Sequence, residues 1–130
     1  MSYRSGRSFE YRARDTFRKY GYQCDRKAGS SPYDIIAQKD GQTLFLGECK
    51  KTGKNDYIYI KKEDIDKTIR EAEKQKAHPI LIYGFYRTPV FYEFPQDLEF
   101  TGKMYRVRKG DNKLLSDLLN GFKPGLSKDK

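Results

Sequence analysis

Residues 30–51 read SSPYDIIAQKDGQTLFLGECKK, in which two short apolar runs flank the dipeptide Asp40-Gly41. Such a pattern predicts a β-hairpin whose strands enter the core. Asp34 directly precedes the first run, and the second run leads into Glu48 and Lys50. An acid is unfavourable at the start of a buried strand, so the two carboxylates and the ammonium at the open end of this hairpin require an explanation.

A shared metal site explains these charges. Alternation along the second strand places Leu44, Leu46, Glu48 and Lys50 on one face. Two converging carboxylates repel each other unless a cation lies between them, and Mg²⁺ prefers one or two carboxylates together with waters and phosphate oxygens. An ammonium beside such a site can orient a water or stabilise charge on a phosphate, as metal-assisted phosphodiester hydrolysis requires. A plainer alternative stays open here, because Glu-x-Lys is also a common charge pair at a strand end.

The register of the hairpin decides whether the two carboxylates can meet. With a regular two-residue turn at Asp40-Gly41, Asp34 would oppose Gly47 and point to the face opposite that of Glu48. A three-residue turn over residues 39–41 would make Asp34 oppose Leu46 and return it to the face of Glu48. We therefore expect this bulged turn, or another one-residue offset between the strands.

Composition narrows the class of protein. The 130 residues correspond to one domain, and 27 Lys and Arg against 18 Asp and Glu give a net charge of +9. Such a charge favours a polyanionic partner, either nucleic acid or an acidic membrane surface. No apolar run is long enough to span a bilayer, and Met1-Ser2-Tyr3-Arg4 does not begin a signal peptide, so we expect an intracellular, cytoplasmic protein.

Cysteine and histidine usage excludes other chemistries. Cys24 and Cys49 are the only cysteines and His78 is the only histidine. Without a CxxC pair or a second histidine, the pattern disfavours a structural zinc site and a histidine-based nucleophilic triad. We expect both thiols to be reduced and buried.

The remaining segments predict an α/β domain with a mixed β-sheet flanked by helices. The first helix is expected to begin at Ser8, with Glu10 in its first turn, and to end at Gly21. Besides the hairpin, the predicted helices are 8–20, 62–76 and 114–119, and the predicted strands are 22–26, 57–60, 80–86, 90–94 and 104–108. We expect a single domain over residues 1–121 and a flexible tail over 122–130.

Asp34, followed after thirteen residues by Glu48-Cys49-Lys50, resembles the PD-(D/E)xK nuclease superfamily. Within it, the chain is most similar to the archaeal-type Holliday-junction resolvases of archaea and some viruses. The similarity covers residues 7–65, and its blocks are Phe9-Glu10, Arg14-Asp15, Gly21-Tyr22, Arg26, Gly29-Ser30-Ser31, Asp34-Ile35-Ile36-Ala37, Glu48-Cys49-Lys50 and Tyr59-Ile60-Lys61-Lys62-Glu63. The short motif alone is weak evidence, whereas the ordered series is much stronger.

The resemblance implies a restriction-endonuclease-like fold and a set of site residues. Glu10, Asp34 and Glu48 would be metal-site carboxylates, Lys50 the catalytic lysine, and Ser30 or Ser31 the loop serine near the scissile phosphate. The family's Pro-Asp pair is offset here, because Tyr33 separates Pro32 from the aspartate, and the short loop leaves the choice between the serines open. Some relatives carry a glutamine at the position of Asp64, to which we assign no role.

The resemblance also implies a function in DNA recombination and repair. The protein would be an endodeoxyribonuclease that uses Mg²⁺, or Mn²⁺, and resolves four-way DNA junctions as a homodimer. Two alternatives remain, namely a related nuclease acting on duplex or flapped DNA and a non-catalytic basic DNA-binding protein. The residues expected to contact DNA are Arg4, Arg7, Arg14, Lys27, Lys51, Lys54 and Lys61. The apolar segments 80–86 and 90–94 are candidates for the dimer interface, and Tyr57 and Tyr59 are expected to fill the sheet rather than to stack on bases.

Overall fold

A computed structural model of the protein describes residues 2–27 and 31–122, with side chains from Ser8 onward. In chain order the elements are α1 (Ser2–Lys19), β1 (Gln23–Arg26), β2 (Ile35–Lys39), β3 (Gln42–Lys51), β4 (Tyr57–Lys61), α2 (Lys62–Gln75), β5 (His78–Gly84), β6 (Phe91–Glu93), a 3-10 turn (Pro95–Asp97), β7 (Glu99–Phe100), β8 (Met104–Arg108), β9 (Lys113–Leu114) and α3 (Leu115–Leu119). No helix in this described part is long and apolar enough to cross a membrane.

The strands form a large mixed sheet and a smaller antiparallel one. The large sheet has the order β1-β2-β3-β5-β6-β9, and the small sheet has the order β4-β8-β7. Strands β3 and β5 are parallel, and the chain passes between them through β4 and α2, as a parallel pair requires. The mixed sheet flanked by helices confirms the predicted fold class.

Helices cover both faces of the large sheet. On one face, α1 and α3 contribute Phe9, Phe17 and Leu115 to the main core cluster. On the other face lie α2 and the small sheet, whose apolar residues pack against Leu46 and Leu81. The open end of the β2–β3 hairpin therefore lies at the edge of both layers.

Both cysteines are buried and unpaired, as predicted. Burial raises the pKa of Cys24 to about 12, and it raises the pKa of Cys49 as well. A thiol with such a pKa is a poor nucleophile at neutral pH, so the two residues act as small apolar side chains.

The first helix begins earlier than predicted. It starts at Ser2 rather than at Ser8, so Ser8 does not cap it and Glu10 lies in its middle instead of its first turn. The predicted end is confirmed, because Gly21 has a φ of 89° and donates its N–H to the carbonyl of Arg18.

Burial of β5 bears on the predicted dimer interface. The sequence names the segments 80–86 and 90–94 as candidates for that interface, and residues 80–85 are buried in the core of this chain. Tyr59 is 50% exposed and does not fill a sheet interior. At the C-terminus, Phe122 packs on Phe45 with ring centroids 5.0 Å apart, and the rest of the predicted tail, 123–130, lies outside the described residues.

The hairpin closes through a two-residue turn, so the expected three-residue turn is wrong. Asp40 and Gly41 have φ values of 53° and 75°, and Lys39 pairs with Gln42. Positive φ at both central positions is the mark of a type I′ turn, whose twist matches that of the strands. Asp-Gly suits this turn because both residues tolerate the left-handed conformation.

A β-bulge provides the expected offset instead. Gln38 pairs with Thr43, whereas the preceding Ala37 pairs with Phe45, so Leu44 has no partner on β2. The extra residue turns Leu44 to the face of Phe45, and both are buried in the main core cluster. The expectation that Leu44 and Leu46 share a face is therefore wrong, since Leu46 packs on the α2 side.

Candidate active site

Asp34 and Glu48 lie close together at the open end of the hairpin, where the charge of Asp34 acts on Glu48. The regular pairing of β2 with β3 ends at Ile35 and Gly47, and Asp34 directly precedes this last pair. The N–H of Asp34 donates to the carbonyl of Gly47 at 2.8 Å, which holds Asp34 against β3. The Asp34 Oδ2 atom accepts a hydrogen bond from the N–H of Cys49, also at 2.8 Å. Backbone contacts thus fix the aspartate beside the glutamate.

The two carboxylates destabilise each other's charge. Burial raises the pKa of Asp34, and burial together with the negative charge of Asp34 raises the pKa of Glu48 to about 7. Only 12% of the Glu48 side chain is exposed, so water screens this repulsion poorly. A cation bound next to the two carboxylates would stabilise their charged forms.

Lys50 supplies a positive charge at the rim of this pair. Its Nζ lies 3.7 Å from Oε2 of Glu48, and 37% of its side chain is exposed. The ammonium therefore lies beside the Glu48 carboxylate on one side and reaches solvent on the other. A phosphate or a water that approached the carboxylates would meet it.

Asp64 is a site residue to which the sequence reading assigned no role. It is half-buried in the first turn of α2, and its charge raises the pKa of both Asp34 and Glu48. Its approach to the other two carboxylates depends on how α2 packs against the large sheet, which the local sequence pattern does not specify.

Glu10 reaches the site from α1 but is held by a different partner. Its Oε1 accepts a hydrogen bond from Nε of Arg26 at 2.8 Å, and its charge raises the pKa of Asp34. Within the described residues, no three His, Cys, Asp or Glu side chains lie close enough to hold a metal ion. The structure thus unites two of the three predicted ligands, Asp34 and Glu48, while Glu10 forms an ion pair beside them.

The serine loop leads directly into the site. The Ser31 hydroxyl accepts a hydrogen bond from the N–H of Tyr33 at 3.3 Å, which tightens the turn before Asp34. Ser30 lies outside the described residues.

Most of the predicted DNA-contacting residues have exposed side chains. The exposed lysines are Lys27, Lys51, Lys54 and Lys61. Arg14 is half-buried, pairs with Asp15 at 2.8 Å and stands 4.8 Å from the ring centre of Tyr11. The side chains of Arg4 and Arg7 lie outside the described part of the chain.

The donor set at the hairpin fits a magnesium ion. Asp34 and Glu48 present hard carboxylate oxygens from neighbouring strands, and Mg²⁺ commonly takes one or two carboxylates and fills its remaining positions with waters and substrate phosphates. These two residues are the ones that would hold the ion.

A family model described as archaeal Holliday junction resolvase (Hjc) matches residues 1–123 of the chain. The chain belongs to the Hjc family. It is 38% identical over 105 residues to the crossover junction endodeoxyribonuclease Hjc of Methanocaldococcus jannaschii, a match that covers 81% of this chain and 77% of that protein. Its fold is similar to that of Archaeoglobus fulgidus Hjc, a Holliday junction resolvase from an archaeal hyperthermophile, with a TM-score of 0.78, 18% identity, and coverage of 92% of this chain and 98% of that one.

Proposed function

We propose that this protein is an endodeoxyribonuclease that resolves four-way DNA junctions by Mg²⁺-dependent hydrolysis of phosphodiester bonds. The observation that carries the proposal is the proximity of Asp34 and Glu48 to each other and to Lys50, in a chain of the Hjc family. The net charge of +9 supplies the attraction to a polyanionic substrate. Such an enzyme acts on DNA during recombination and repair. The proposal therefore includes a cytoplasmic location, in an archaeal or virus-infected cell, where that DNA is found.

In this mechanism the residues of the chain position the scissile phosphate and stabilise its negative charge. The ammonium of Lys50 faces the phosphate and stabilises the negative charge that develops on its oxygens in the transition state. Glu48 keeps that ammonium near the reacting group, and Asp34 is held still by the N–H of Cys49. When bound, Mg²⁺ supplies Lewis-acid polarisation of the phosphate and a more acidic water.

Three residues outside the pair would support this arrangement. Ser31 lies in the loop before Asp34 and is available to bind a phosphate oxygen, a role that Ser30 shares in the proposal. Glu10 adds a third negative charge toward Asp34 from α1. We propose that it completes the metal surroundings when DNA draws Arg26 to a phosphate.

The proposal includes a homodimer. A four-way junction is resolved by two symmetrical cuts, whereas one chain carries a single pair of Asp34 and Glu48. An isologous two-fold dimer would present two equivalent sites to a substrate of nearly the same symmetry. Because β5 is buried, the dimer interface would be formed by half-buried segments such as Phe91–Glu93 rather than by residues 80–85.

Cleavage of a labelled four-way junction tests the proposal, with a linear duplex of equal length as the competing substrate. We expect paired incisions in the junction with Mg²⁺ or Mn²⁺, little cutting of the duplex, and none in EDTA. Glu48→Gln serves as the inactive control. Equal cutting of the duplex or of a flapped substrate would favour the related nuclease, and junction binding without any cutting would favour a basic DNA-binding protein.

A further inference from the structure

The outer face of the small sheet contributes no side chain to the core clusters of the described residues. Along β4 and β8 the side chains alternate, so Ile58, Ile60 and Val107 pack inward while the residues between them point out. We call this outer surface the tyrosine face; its members are Tyr57, Tyr59, Lys61, Met104, Arg106, Arg108 and, from β7, Glu99.

Two tyrosine rings are stacked on this face and partly open to solvent. The ring centres of Tyr57 and Tyr59 are 6.1 Å apart with an interplanar angle of 28°. The Arg106 guanidinium stands 4.9 Å from the ring centre of Tyr57 and is itself fixed by two hydrogen bonds of 2.8 Å to the carboxylate of Glu99. Tyr59 remains 50% exposed. The rings are thus held in place before any ligand binds.

The charge of the face matches a nucleic acid. Three cations, Lys61, Arg106 and Arg108, share it with one acid, Glu99. An exposed sheet surface that combines aromatic rings with arginine and lysine is the arrangement that binds single-stranded nucleic acid, because every base offers a π-face to a ring while the backbone requires positive charge. Glu99 pairs with Arg106, so a partner with a neutral apolar surface would bring no anionic group to Lys61 and Arg108.

The tyrosine face continues into a groove beside α2. Lys61 and Met104 also line a groove of about 530 Å³ together with Lys62, Glu63, Asp66 and Lys103. This groove lies beside the first turns of α2. Lys103 on its lining adds to the positive charge available to a DNA strand lying on the face.

We propose that the tyrosine face stacks on a base that is unpaired or unstacked next to the branch point, with Tyr59 as the contacting ring. This inference rests on the proposed function and adds a source of substrate selectivity to it. In a continuous duplex both faces of every internal base pair are covered by neighbours. At a branch point stacking is interrupted, so a protein that stacks on an exposed base face gains binding energy only there.

Single substitutions at Tyr59 test the inference in EDTA, where no cleavage occurs. Tyr59→Ala and Tyr59→Leu both remove the aromatic ring, and the leucine keeps apolar bulk suited to a strand. We expect each to weaken binding of an oligo-dT strand and of the junction about tenfold, within the range found for removal of one stacking ring. Tyr59→Phe keeps the ring and should bind like the wild type.

Tyr86 provides a matched control, because it is a tyrosine with 51% exposure that lies outside the face. Tyr86→Ala should leave both affinities unchanged. A 2-aminopurine placed at the branch point should change its emission on binding wild type, Tyr59→Phe or Tyr86→Ala, and not on binding Tyr59→Ala or Tyr59→Leu.

Two results would overturn the inference. One is wild-type affinity and an unchanged 2-aminopurine response in Tyr59→Ala and Tyr59→Leu. The other is a change from dimer to monomer mass by light scattering in these variants, which would make the face a contact between protein chains. Failure of the proposed function would be seen separately, as a wild-type protein that does not cut junctions in Mg²⁺; a Tyr59-dependent 2-aminopurine response in that protein would still support the stacking role.

Discussion

The hydroxyl of Thr68 lies 3.1 Å from the carbonyl oxygens of both Pro32 and Asp64. Thr68 is 2% exposed and is the buried polar side chain of the described core. The contact to Pro32 holds the loop that carries Ser31 and leads into Asp34, and the contact to Asp64 holds the first turn of α2. One buried hydroxyl thus fastens two segments that border the carboxylate pair.

Thr68→Val, which replaces this hydroxyl by a methyl group of similar size, should weaken catalysis through the loop. The loss of a buried hydrogen bond is expected to lower the free energy of unfolding by about 1–2 kcal/mol. Because the loop before Asp34 loses its anchor, we expect single-turnover cleavage to fall several-fold while junction affinity in EDTA stays unchanged. Urea unfolding and timed digestion in Mg²⁺ measure the two effects.

Thr68→Ser keeps the hydroxyl and loses only the methyl group, so it should retain most of the cleavage rate. Equal cleavage rates for Thr68→Val and Thr68→Ser would show that the contact stabilises the fold without positioning the site.

Glu48→Gln and Lys50→Ala should separate chemistry from binding. Neither substitution touches the exposed lysines that we propose attract DNA through phosphate contacts and counterion release, so junction affinity and its salt dependence should remain near those of the wild type. Cleavage in Mg²⁺ should fall about a hundredfold or more, as is typical when one preorganised electrostatic group is removed. A gel shift in EDTA and a timed digestion provide both readings, and wild-type cutting by Glu48→Gln would place the site elsewhere.

The repulsion between Asp34 and Glu48 should be visible as a pH-dependent loss of stability in EDTA. The pKa of Glu48 is raised from 4.5 to about 7, so between these pH values the folded protein keeps a proton that the unfolded chain has released. Stability therefore falls as the pH rises from 4.5 to about 7, and the full deficit is present above 7. At pH 8, Glu48→Gln should be more stable than the wild type by about 1–3 kcal/mol, and this gain should vanish below pH 4.5.

Urea unfolding of both proteins at pH 4, 6 and 8 measures this difference. Glu63→Gln removes an exposed acid of α2 and should change stability by less than about 0.5 kcal/mol at each pH. Adding Mg²⁺ at pH 8 should stabilise the wild type more than Glu48→Gln, because an ion that binds only the folded state shifts the equilibrium by mass action. A difference that does not depend on pH would contradict the predicted origin of the effect.

The proximity of Asp34, Glu48 and Lys50 could be predicted from the sequence because its signal is local. Asp34 directly precedes β2, and Glu48 and Lys50 lie on β3, so the turn that joins these strands limits how far apart the three side chains can be. The pairing of β4 with β8 was not readable, since these strands are far apart in the chain and local pattern does not select a distant partner. The exposure of Tyr59 depends on that pairing, which is why the sequence reading placed its ring inside a sheet.

The bulge at Leu44 has a consequence for how this site is recognised in other chains. In a hairpin with a two-residue turn, directly opposed residues are an odd number of positions apart, whereas Ile35 and its partner Gly47 are separated by 12 positions. An even separation therefore signals one unpaired residue between them. A chain without that residue would carry the same carboxylates 13 rather than 14 positions apart, so a search pattern with fixed spacing would overlook it. Deletion of Leu44 should accordingly cost core packing while leaving the two acids close together.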